Sequence, residues 1–435
     1  MREHVCIPAR GPIDARVVLP GSKSITNRAL VAAALADGTS ILSDILLAED
    51  TRLMMDALRA LGVAIAVDEA EQVAEVTGCR GHVPASEARL FCGNSGTTIR
   101  FCTAMVALGH GRYELDGVPR MRERPIGGLI QALQALGAGI EYLGKDGCPP
   151  IAVHARGLHG GQVAFHSPES SQWVSAVLLA APCAGRDVLI EVTGDVSSVP
   201  YLKLTTAIMD RFDVPVVAQY RDAAARFVVP APQRYQAARL AVEPDASNAS
   251  YFLAAPAVVG GRVTIERLGT QSLQGDARFV DVLEAMGCGV VREPERLTVI
   301  GPDQGAGLHG IDVDLNDMPD TAQTLAVVAL FAEGKTTIRN VASLRVKETD
   351  RVAALRIELT KLGARVTEMG DGLVIEPPER IHPAAIDTYN DHRMAMSFAL
   401  AGLSCAGITL RDPDCVGKTF PDFFERFARL AGPNG

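Results

Sequence analysis

An apolar segment that opens on a capping-type polar residue recurs six times in this chain at a nearly constant interval. The openings stand 72, 77, 77, 72 and 71 residues apart, at Ser22, Asn94, Ser171, Asn248, Asp320 and Asp391. Serine, asparagine and aspartate side chains accept hydrogen bonds from the unpaired N–H groups of a helix start. Each segment runs to a glycine, the residue that commonly follows a helix C-terminus. The pattern predicts six helices in six equivalent repeat units.

A second repeat lies between these segments and reads as a helix end, a tight turn and a strand. Its glycines are Gly62, Gly137, Gly287 and Gly363, as in LRALGVAIAV and LTKLGARVTEM. A fifth, degenerate copy, IMDRFDVPVVAQ, places Asp213 at the glycine position. A sixth helix, FFERFARLAG, ends at Gly432 with no strand after it. Each unit therefore has two helices and several short strands.

Six units divide naturally as three plus three. The last unit lacks its strand, and the first 20 residues supply strand-like sequence with no helix before it. We therefore expect domain I to combine residues 1–20 with 241–435, and domain II to span residues 21–240. The crossings are expected at Pro20–Gly21 and near Glu243–Pro244, with the active site in the cleft between the domains, as in a hinged clamp. The alternative is one large α/β domain with fortuitous periodicity.

Bulk composition excludes several functional classes. The formal net charge of −9 argues against a nucleic-acid or membrane-surface role, since both usually need a basic face. The nine cysteines are scattered and form no C-x-x-C pair, which is typical of reduced thiols in a cytoplasmic protein. The N-terminal sequence lacks the apolar core of a signal peptide. Any anion site must be a local concentration of cations.

Three common motifs are rejected. Gly305 to Gly310 matches the dinucleotide fingerprint by letter but leads into the strand pattern IDVDL, where a helix is required. The G-K-T tripeptides at Gly334 and Gly417 lack the first glycine of a phosphate-binding loop. No His, Cys and Asp spacing predicts a metal site, and His154, His159 and His166 are interpreted as solvated.

Cations stand at several of the predicted helix starts and turns, where a lysine or arginine opposes the helix dipole unless an anion compensates. Each such segment alone is also explained by a solvated face. Together they bring many donors and two candidate proton carriers, Asp320 and Glu348, which predicts a site for two multiply charged anions with acid–base chemistry. The cations are Lys23, Arg28, Arg100, Arg124, Lys347, Arg351, Arg393 and Lys418.

The motifs PGSKSITNRA, GNSGTTIR, PRMRERPIG, SSQ, RVKETDR, NDHRMAM and GKTFPD closely resemble those of the 5-enolpyruvylshikimate-3-phosphate (EPSP) synthase family, nearly end to end. The resemblance implies an α/β fold with two similar domains, each of three βαβαββ repeat units in an inside-out α/β barrel, and a chain that crosses twice between them. It implies transfer of the enolpyruvyl group of phosphoenolpyruvate to shikimate 3-phosphate. It implies no metal or organic cofactor, and a monomer.

The same resemblance implies the site residues. Asp320 is expected to accept the substrate hydroxyl proton and Glu348 to protonate the phosphoenolpyruvate methylene, with Lys23 as a competing donor. The shikimate-3-phosphate ligands are expected to be Lys23, Ser24, Arg28, Ser170, Ser171, Gln172, Ser198, Tyr201, Asp320, Ser343 and Lys347. The phosphoenolpyruvate ligands are expected to be Lys23, Asn94, Gly96, Arg124, Gln172, Arg351, Arg393 and Lys418.

Two positions depart from the family pattern. Ser343 stands where asparagine is usual, which puts its substrate contact in question. Phe101 stands where proline often follows the arginine of the GNSGTTIR helix, and it could shift Gly96. Because Gly96 is retained, glyphosate is expected to inhibit by occupying the phosphoenolpyruvate subsite.

Two alternatives remain. The sister enzyme that acts on UDP-N-acetylglucosamine shares the fold but normally carries a reactive cysteine before the Arg-Pro turn, and Ala107 to Arg124 contains none. A non-catalytic phospho-ligand-binding protein on the same scaffold would not need both Asp320 and Glu348.

Overall fold

The computed structural model describes residues 2–196, 198–221, 224–302 and 307–432. The chain divides into two compact units, Met1–Pro20 with Pro244–Gly435 (unit 1) and Gly21–Glu243 (unit 2). The sequence-based boundary at residues 240/241 falls three residues short of this division. The reason is a strand, Arg239–Ala241, that pairs in parallel with the strand Thr39–Ser43 of unit 2.

The helices follow the predicted repeat, with two helices in each repeat. In the fourth repeat the first helix is divided into two shorter ones. In the described residues they are α1 (Lys23–Leu35), α2 (Glu49–Ala60), α3 (Gly96–Val106), α4 (Gly127–Ala135), α5 (Ser171–Ala180), α6 (Val199–Arg211), α7 (Ala246–Leu253), α8 (Ala255–Val259), α9 (Phe279–Ala285), α10 (Ala322–Val328), α11 (Arg351–Lys361), α12 (His392–Ser404) and α13 (Phe423–Ala428).

The strands are short and surround the helices. They are β1 (Glu3–Val5), β2 (Ile13–Val17), β3 (Thr39–Ser43), β4 (Ala64–Asp68), β5 (Val73–Thr77), β6 (Glu87–Phe91), β7 (His110–Asp116), β8 (Gly139–Tyr142), β9 (Ile151–Arg156), β10 (Gly161–His166), β11 (Val188–Thr193), β12 (Val217–Arg221), β13 (Ala224–Val229), β14 (Arg239–Ala241), β15 (Gly261–Glu266), β16 (Gly289–Glu293), β17 (Arg296–Ile300), β18 (Leu308–His309), β19 (Asp312–Asp314), β20 (Ala332–Glu333), β21 (Thr336–Arg339), β22 (Arg365–Glu368), β23 (Leu373–Glu376), β24 (Ala385–Asp387) and β25 (Thr409–Arg411).

In the described residues five repeats build the same four-stranded sheet and the last builds a three-stranded one; in each, the first two strands are parallel and the others antiparallel. Unit 2 contains the orders β14-β3-β5-β4, β6-β7-β9-β8 and β10-β11-β13-β12, and unit 1 contains β2-β15-β17-β16, β19-β21-β23-β22 and β24-β25-β1. The N-terminal segment thus enters two sheets of unit 1. Strand β1 completes the last repeat, and β2 supplies the first strand of the fourth.

The apolar helices form the interior of each unit and the sheets lie outside them. Every residue of α3 is buried, as is every residue of α12 before Ser404, whereas strands such as β4 and β12 alternate between exposed and half-buried positions. A helix that is apolar all round requires burial on every side, which a covering of half-exposed sheets provides. The fold is therefore α/β with the helices inside, as expected.

Two of the six predicted helix openings are correct, because Ser22 and Asp391 cap α1 and α12 with their side chains. In three others the cap is displaced: it lies one residue later at Ser95, one residue earlier at Ser170 and three residues earlier at Asp245. Adjacent capping-type residues compete at these starts, so sequence alone cannot choose between them. The fifth opening, at Asp320, is a 3-10 turn, Pro319–Thr321, that leads into α10.

The turn predicted at the degenerate copy IMDRFDVPVVAQ is present. Asp213 follows α6 with φ of 62°, in the left-handed region that Gly137 occupies at the equivalent turn with φ of 103°. Aspartate tolerates this conformation better than most side chains, so the turn survives without glycine.

All nine cysteines are free, and five of them are buried. No helix in the described ranges is long and apolar enough to span a membrane. The part of the chain that the structure describes holds no cluster of His, Cys, Asp and Glu able to bind a metal. Gly305, the first residue of the rejected fingerprint, lies outside the described residues; Gly307 leads into β18, not into a helix.

Candidate active site

The N-terminal parts of helices α1, α3 and α5 lie close to one another in unit 2. Gln172, the second residue of α5, accepts from Arg100 Nη1 at 2.7 Å and donates to Thr97 Oγ1 at 3.4 Å in the first turn of α3. The Arg28 guanidinium of α1 lies 5.3 Å from the centre of the Phe101 ring of α3. The positive ends of three helix dipoles are therefore close together, which favours an anion.

Arg28 is buried in unit 2, with 2% of its surface exposed. Its Nε donates to Thr205 Oγ1 at 2.8 Å, and its Nη1 donates to the Ser24 carbonyl oxygen at 3.1 Å. The rings of Phe101 and Tyr201 cover its faces. Burial lowers the pKa of Arg28 to about 10, so the side chain still carries its charge at neutral pH. The groups in these contacts are all neutral, so none of them carries a negative charge that would balance the Arg28 guanidinium.

Arg124 and Arg100 lie against the backbone at the start of α3. Arg124 Nη1 donates to the Asn94 carbonyl at 2.9 Å and to Asn94 Oδ1 at 3.2 Å, and Arg100 Nη2 donates to the Pro125 carbonyl at 2.9 Å. A Cβ atom on Gly96 would lie 2.6 Å from Arg124 Nη2 and 2.7 Å from Arg100 Nη1. Glycine at position 96 thus lets these two guanidinium groups lie this close to the helix start.

Lys23 opens α1 beside a buried carboxylate that the sequence analysis missed. Its Nζ lies 3.1 Å from Oδ2 of Asp50, whose side chain is 2% exposed. Asp50 stands in the first turn of α2, where an acidic residue is ordinary, so no local signal marked it. The pairing offsets the cost of a lysine at a helix N-terminus.

The start of α6 brings two further predicted ligands into unit 2. Ser198 precedes the helix with φ of 59° and is 5% exposed, although serine rarely adopts the left-handed region. Such strained backbone is enriched at functional sites. Tyr201 follows in the first turn, and its carbonyl oxygen lies 3.4 Å from Arg28 Nη2. Ser170 caps α5 through the Gln172 N–H.

Arg351 is the centre of the polar cluster in unit 1, with 1% of its side chain exposed. Its Nε donates to Asp391 Oδ2 at 2.7 Å, its Nη1 to Asp320 Oδ1 at 3.1 Å and its Nη2 to Glu348 Oε2 at 3.0 Å. Burial alone would lower the pKa of Arg351, but the charges of Asp391, Glu348 and Asp320 outweigh it and raise the pKa. One guanidinium thus fixes both candidate proton carriers.

Two more cations complete this cluster. Arg393 Nη2 donates to Asp320 Oδ2 at 2.9 Å, and Arg393 Nη1 donates to the Tyr251 hydroxyl oxygen at 3.3 Å. Lys418 Nζ lies 3.9 Å from Glu348 Oε1. Burial, partly offset by Arg393, raises the pKa of Tyr251 to about 12, so its hydroxyl stays neutral.

Ser343 and Lys347 lie just before this cluster along the chain. Ser343 is half-buried in the 3-10 turn Ala342–Val346, and Lys347 is the residue that ends the turn. Asp350 then caps α11 by accepting from the Ala353 N–H at 3.1 Å.

The structure therefore gathers the predicted residues into two clusters, each within its own unit. Unit 1 joins Asp320, Glu348, Arg351, Arg393 and Lys418; unit 2 joins Asn94, Gly96, Arg124 and Gln172 at the α3 and α5 starts, and Ser24, Arg28 and Tyr201 around the buried arginine. Asp50 and Tyr251 were not predicted from the sequence, and Asp391 was predicted only as a helix cap. Their neighbours in the sequence do not mark these residues, because each contacts a partner that is distant along the chain.

Known proteins resemble this chain over its whole length. The sequence profile of EPSP synthase (3-phosphoshikimate 1-carboxyvinyltransferase) matches residues 7–427. A 3-phosphoshikimate 1-carboxyvinyltransferase of Trichormus variabilis is 48% identical over 431 residues, which is 99% of this chain and 100% of that protein. The same enzyme of Nitrosomonas europaea is 50% identical over 418 residues, 95% of each chain. A solved EPSP synthase structure from Acinetobacter baumannii has a TM-score of 0.80 at 26% identity, covering 99% of this chain and 98% of that one.

Proposed function

The chain belongs to the EPSP synthase family, the 3-phosphoshikimate 1-carboxyvinyltransferases, and from that premise we propose that it transfers the enolpyruvyl group of phosphoenolpyruvate to the 5-hydroxyl of shikimate 3-phosphate. The products are 5-enolpyruvylshikimate 3-phosphate and phosphate, on the route to chorismate and the aromatic amino acids. The observation that carries the proposal is the pair of carboxylates, Asp320 and Glu348, held by the buried Arg351. A protein that only bound phospho-ligands would gain nothing from two such carboxylates among its cations.

Asp320 is proposed to accept the proton of the substrate 5-hydroxyl as its oxygen attacks C2 of phosphoenolpyruvate. Glu348 is proposed to donate a proton to the C3 methylene in the same addition, with Lys23 as the competing donor. The tetrahedral intermediate then loses a methyl proton and releases phosphate with C–O cleavage. Both carboxylates accept hydrogen bonds from Arg351, which orients their side chains. Most of the surface of each side chain is also shielded from water.

The ligand assignments follow the clusters. Phosphoenolpyruvate, with its carboxylate and phosphate, is proposed to bind Lys23, Asn94, Gly96, Arg124, Gln172, Arg351, Arg393 and Lys418. Shikimate 3-phosphate is proposed to bind Lys23, Ser24, Arg28, Ser170, Ser171, Gln172, Ser198, Tyr201, Asp320, Ser343 and Lys347. The buried guanidiniums and the helix starts of unit 2 supply the donors that such anions need.

The central test is phosphate release from phosphoenolpyruvate with shikimate 3-phosphate and UDP-N-acetylglucosamine offered separately. Release with shikimate 3-phosphate alone is expected. Release with the nucleotide sugar alone would assign the chain to the sister activity. If neither co-substrate supports release, while isothermal titration still detects binding, the chain would be a binding protein.

Glyphosate is proposed to inhibit competitively with phosphoenolpyruvate. Phe101 is 1% exposed and packs against Arg28, while α3 begins at Gly96 behind the Ser95 cap. The phenylalanine ring therefore packs in the interior of unit 2, against Arg28 of α1. An inhibition constant far above the phosphoenolpyruvate KM would contradict this proposal.

A monomer in the cytoplasm is proposed as the working form, with no nucleic acid or membrane partner. Light scattering behind size-exclusion chromatography measures the first point directly, and a mass of twice 46.0 kDa would contradict it.

A further inference from the structure

The carboxyl of Asp276 is buried in unit 1 and lies outside the proposed ligand set. Asp276 belongs to the 3-10 turn Gly275–Arg278 and is 3% exposed. Its Oδ2 accepts a hydrogen bond from Ser247 Oγ, while its Oδ1 has no hydrogen-bond partner in the described part of the chain. An ionised carboxylate with a bare buried oxygen is costly, because nothing replaces the lost water. The environment therefore favours the neutral, protonated form.

Helix α7 connects Asp276 to the proposed proton acceptor. Ser247 and Tyr251 are four residues apart on this helix, so their side chains lie on the same face. Ser247 contacts Asp276, and the Tyr251 hydroxyl contacts Arg393, which in turn donates to Asp320 at 2.9 Å.

Several charged groups face Asp276 from the elements around it. Burial first, and then the negative charge of Asp320, raise the pKa of Asp276 to about 7. The Ser247 hydrogen bond and the charge of Arg393 oppose this rise, and Asp245 at the start of α7 adds to it.

The helix that follows the turn adds charges only at its surface. Asp281 and Glu284 of α9 form ion pairs with Arg292, and Asp281 also lies 3.6 Å from Arg278. These pairs are exposed, so solvent screens their effect on Asp276.

We propose that Asp276 is a positioning residue that holds a proton beside Asp320. Because Asp276 keeps the proton, Asp320 remains the ionised member of the two carboxyls and can act as a base. The positive charge of Arg393 is then not further offset by Asp276, and it attracts an anionic substrate more strongly. The inference rests on the proposed function of Asp320 and Arg393.

The proposal has a consequence for pH dependence. As the pH rises through about 7, Asp276 loses its proton and adds a negative charge near Arg393. That charge competes with an anionic substrate, so the KM for phosphoenolpyruvate rises while kcat changes less. A merely structural role for Asp276 would not separate KM from kcat in this way.

The experiment compares KM and kcat for phosphoenolpyruvate from about pH 6 to about pH 9 in the wild type, Asp276→Asn and the control Asp281→Asn. Asparagine keeps the shape of the side chain and cannot ionise. The ratio of wild-type KM to Asp276→Asn KM is expected to rise about three- to tenfold across this range. Titration of the substrate phosphate is common to all three proteins and cancels in the ratio. The surface variant Asp281→Asn is expected to follow the wild type.

Parallel KM profiles for Asp276→Asn and the wild type would overturn the inference. A wild type that releases no phosphate with shikimate 3-phosphate would instead overturn the proposed function, so the two failures are distinguishable.

If Asp276→Asn does not fold, Ser247→Ala carries the test. The Ser247 hydrogen bond lowers the pKa of Asp276, so its removal is expected to move the KM rise to higher pH. A KM rise at the wild-type pH would contradict the proposal.

Discussion

At the scale of single residues, the two clusters hold their arginines in opposite ways. Arg351 is surrounded by the carboxylates of Asp391, Glu348 and Asp320. Arg28 is equally buried but is held by hydroxyls, carbonyl oxygens and ring faces. A bound anion stabilises a buried cation that has only neutral contacts more than it stabilises a buried cation that is already paired with carboxylates. Substrate anions are therefore expected to stabilise Arg28 more than Arg351.

Replacement of either proton carrier tests the acid–base assignment. Asp320→Asn and Glu348→Gln keep the side-chain shape but cannot exchange a proton, so each is expected to lower kcat by about a hundredfold or more. Substrate binding, measured by isothermal titration, is expected to persist. The control Glu284→Gln removes an exposed carboxylate and should leave kcat unchanged. Near-wild-type turnover in either active-site variant would contradict the assignment.

The close approach of Arg124 and Arg100 to Gly96 predicts the effect of one added methyl group. In Gly96→Ala the Cβ would collide with both guanidiniums, which then move away from the helix start. We expect the phosphoenolpyruvate KM to rise about tenfold or more, and glyphosate inhibition to weaken at least as much, since a displaced charge costs over 1 kcal/mol. Gly11→Ala is the matched control, because nothing lies within 4 Å of its added Cβ. Unchanged steady-state constants in Gly96→Ala would exclude Gly96 from the subsite.

At the scale of the element, the starts of α11 and α12 carry two aspartate caps with different tasks. Asp350 caps α11, and its side chain is 40% exposed beside Arg345. Asp391 caps α12 through the Arg393 N–H and also accepts from both Nε and Nη2 of Arg351, with its own side chain 0% exposed. One cap therefore orders a helix start, and the other orders a helix start and the polar cluster together.

The two caps form a matched pair for mutation. Asp350→Ala is expected to lower the free energy of unfolding by about 1 kcal/mol, the usual cost of losing a cap. Asp391→Ala is expected to lower it by about 3–5 kcal/mol, because Arg351 loses its closest buried partner. Urea unfolding at neutral pH measures both values. Equal losses would show that the Arg351 pairing adds little to stability.

At the scale of the whole molecule, the two chain crossings leave each unit dependent on a strand from a distant part of the sequence. In unit 2, β14 supplies the first strand of the sheet that begins with β3. In unit 1, β2 pairs with β15 and β1 pairs with β25. In each unit a sheet is therefore completed by a strand that is distant along the chain. Two of these strands, β2 and β14, lie just before the two chain crossings in the sequence.

Unit 2 is continuous in sequence, so this dependence can be tested directly. A fragment of residues 21–243 is expected to unfold cooperatively, because its core and all its sheets are self-contained. A fragment of residues 21–237 lacks β14, exposes the edge of β3 and is expected to melt several degrees lower or to aggregate. Thermal circular dichroism compares the two. Identical melting curves would mean that β14 contributes nothing to unit 2.

Local sequence patterns are enough to predict the repeat, the class of fold and the family. Hydrophobic periodicity and turn preferences are properties of near neighbours, so six apolar helices and even the irregular turn at Asp213 were predictable. The family motifs named the residues of the candidate site for the same reason, since each motif is a short local string.

Packing in the folded chain selected which of several adjacent residues caps a helix, and which strands complete each sheet. It also decided that Asp50 pairs with Lys23, that Tyr251 and Asp391 join the Arg351 cluster, and that Asp276 is buried with a bare oxygen. These contacts join residues far apart in the chain, and their energies depend on burial and on the nearest opposite charge. Burial and the distance to the nearest opposite charge are defined only in the folded chain, so no local pattern in the sequence could predict them.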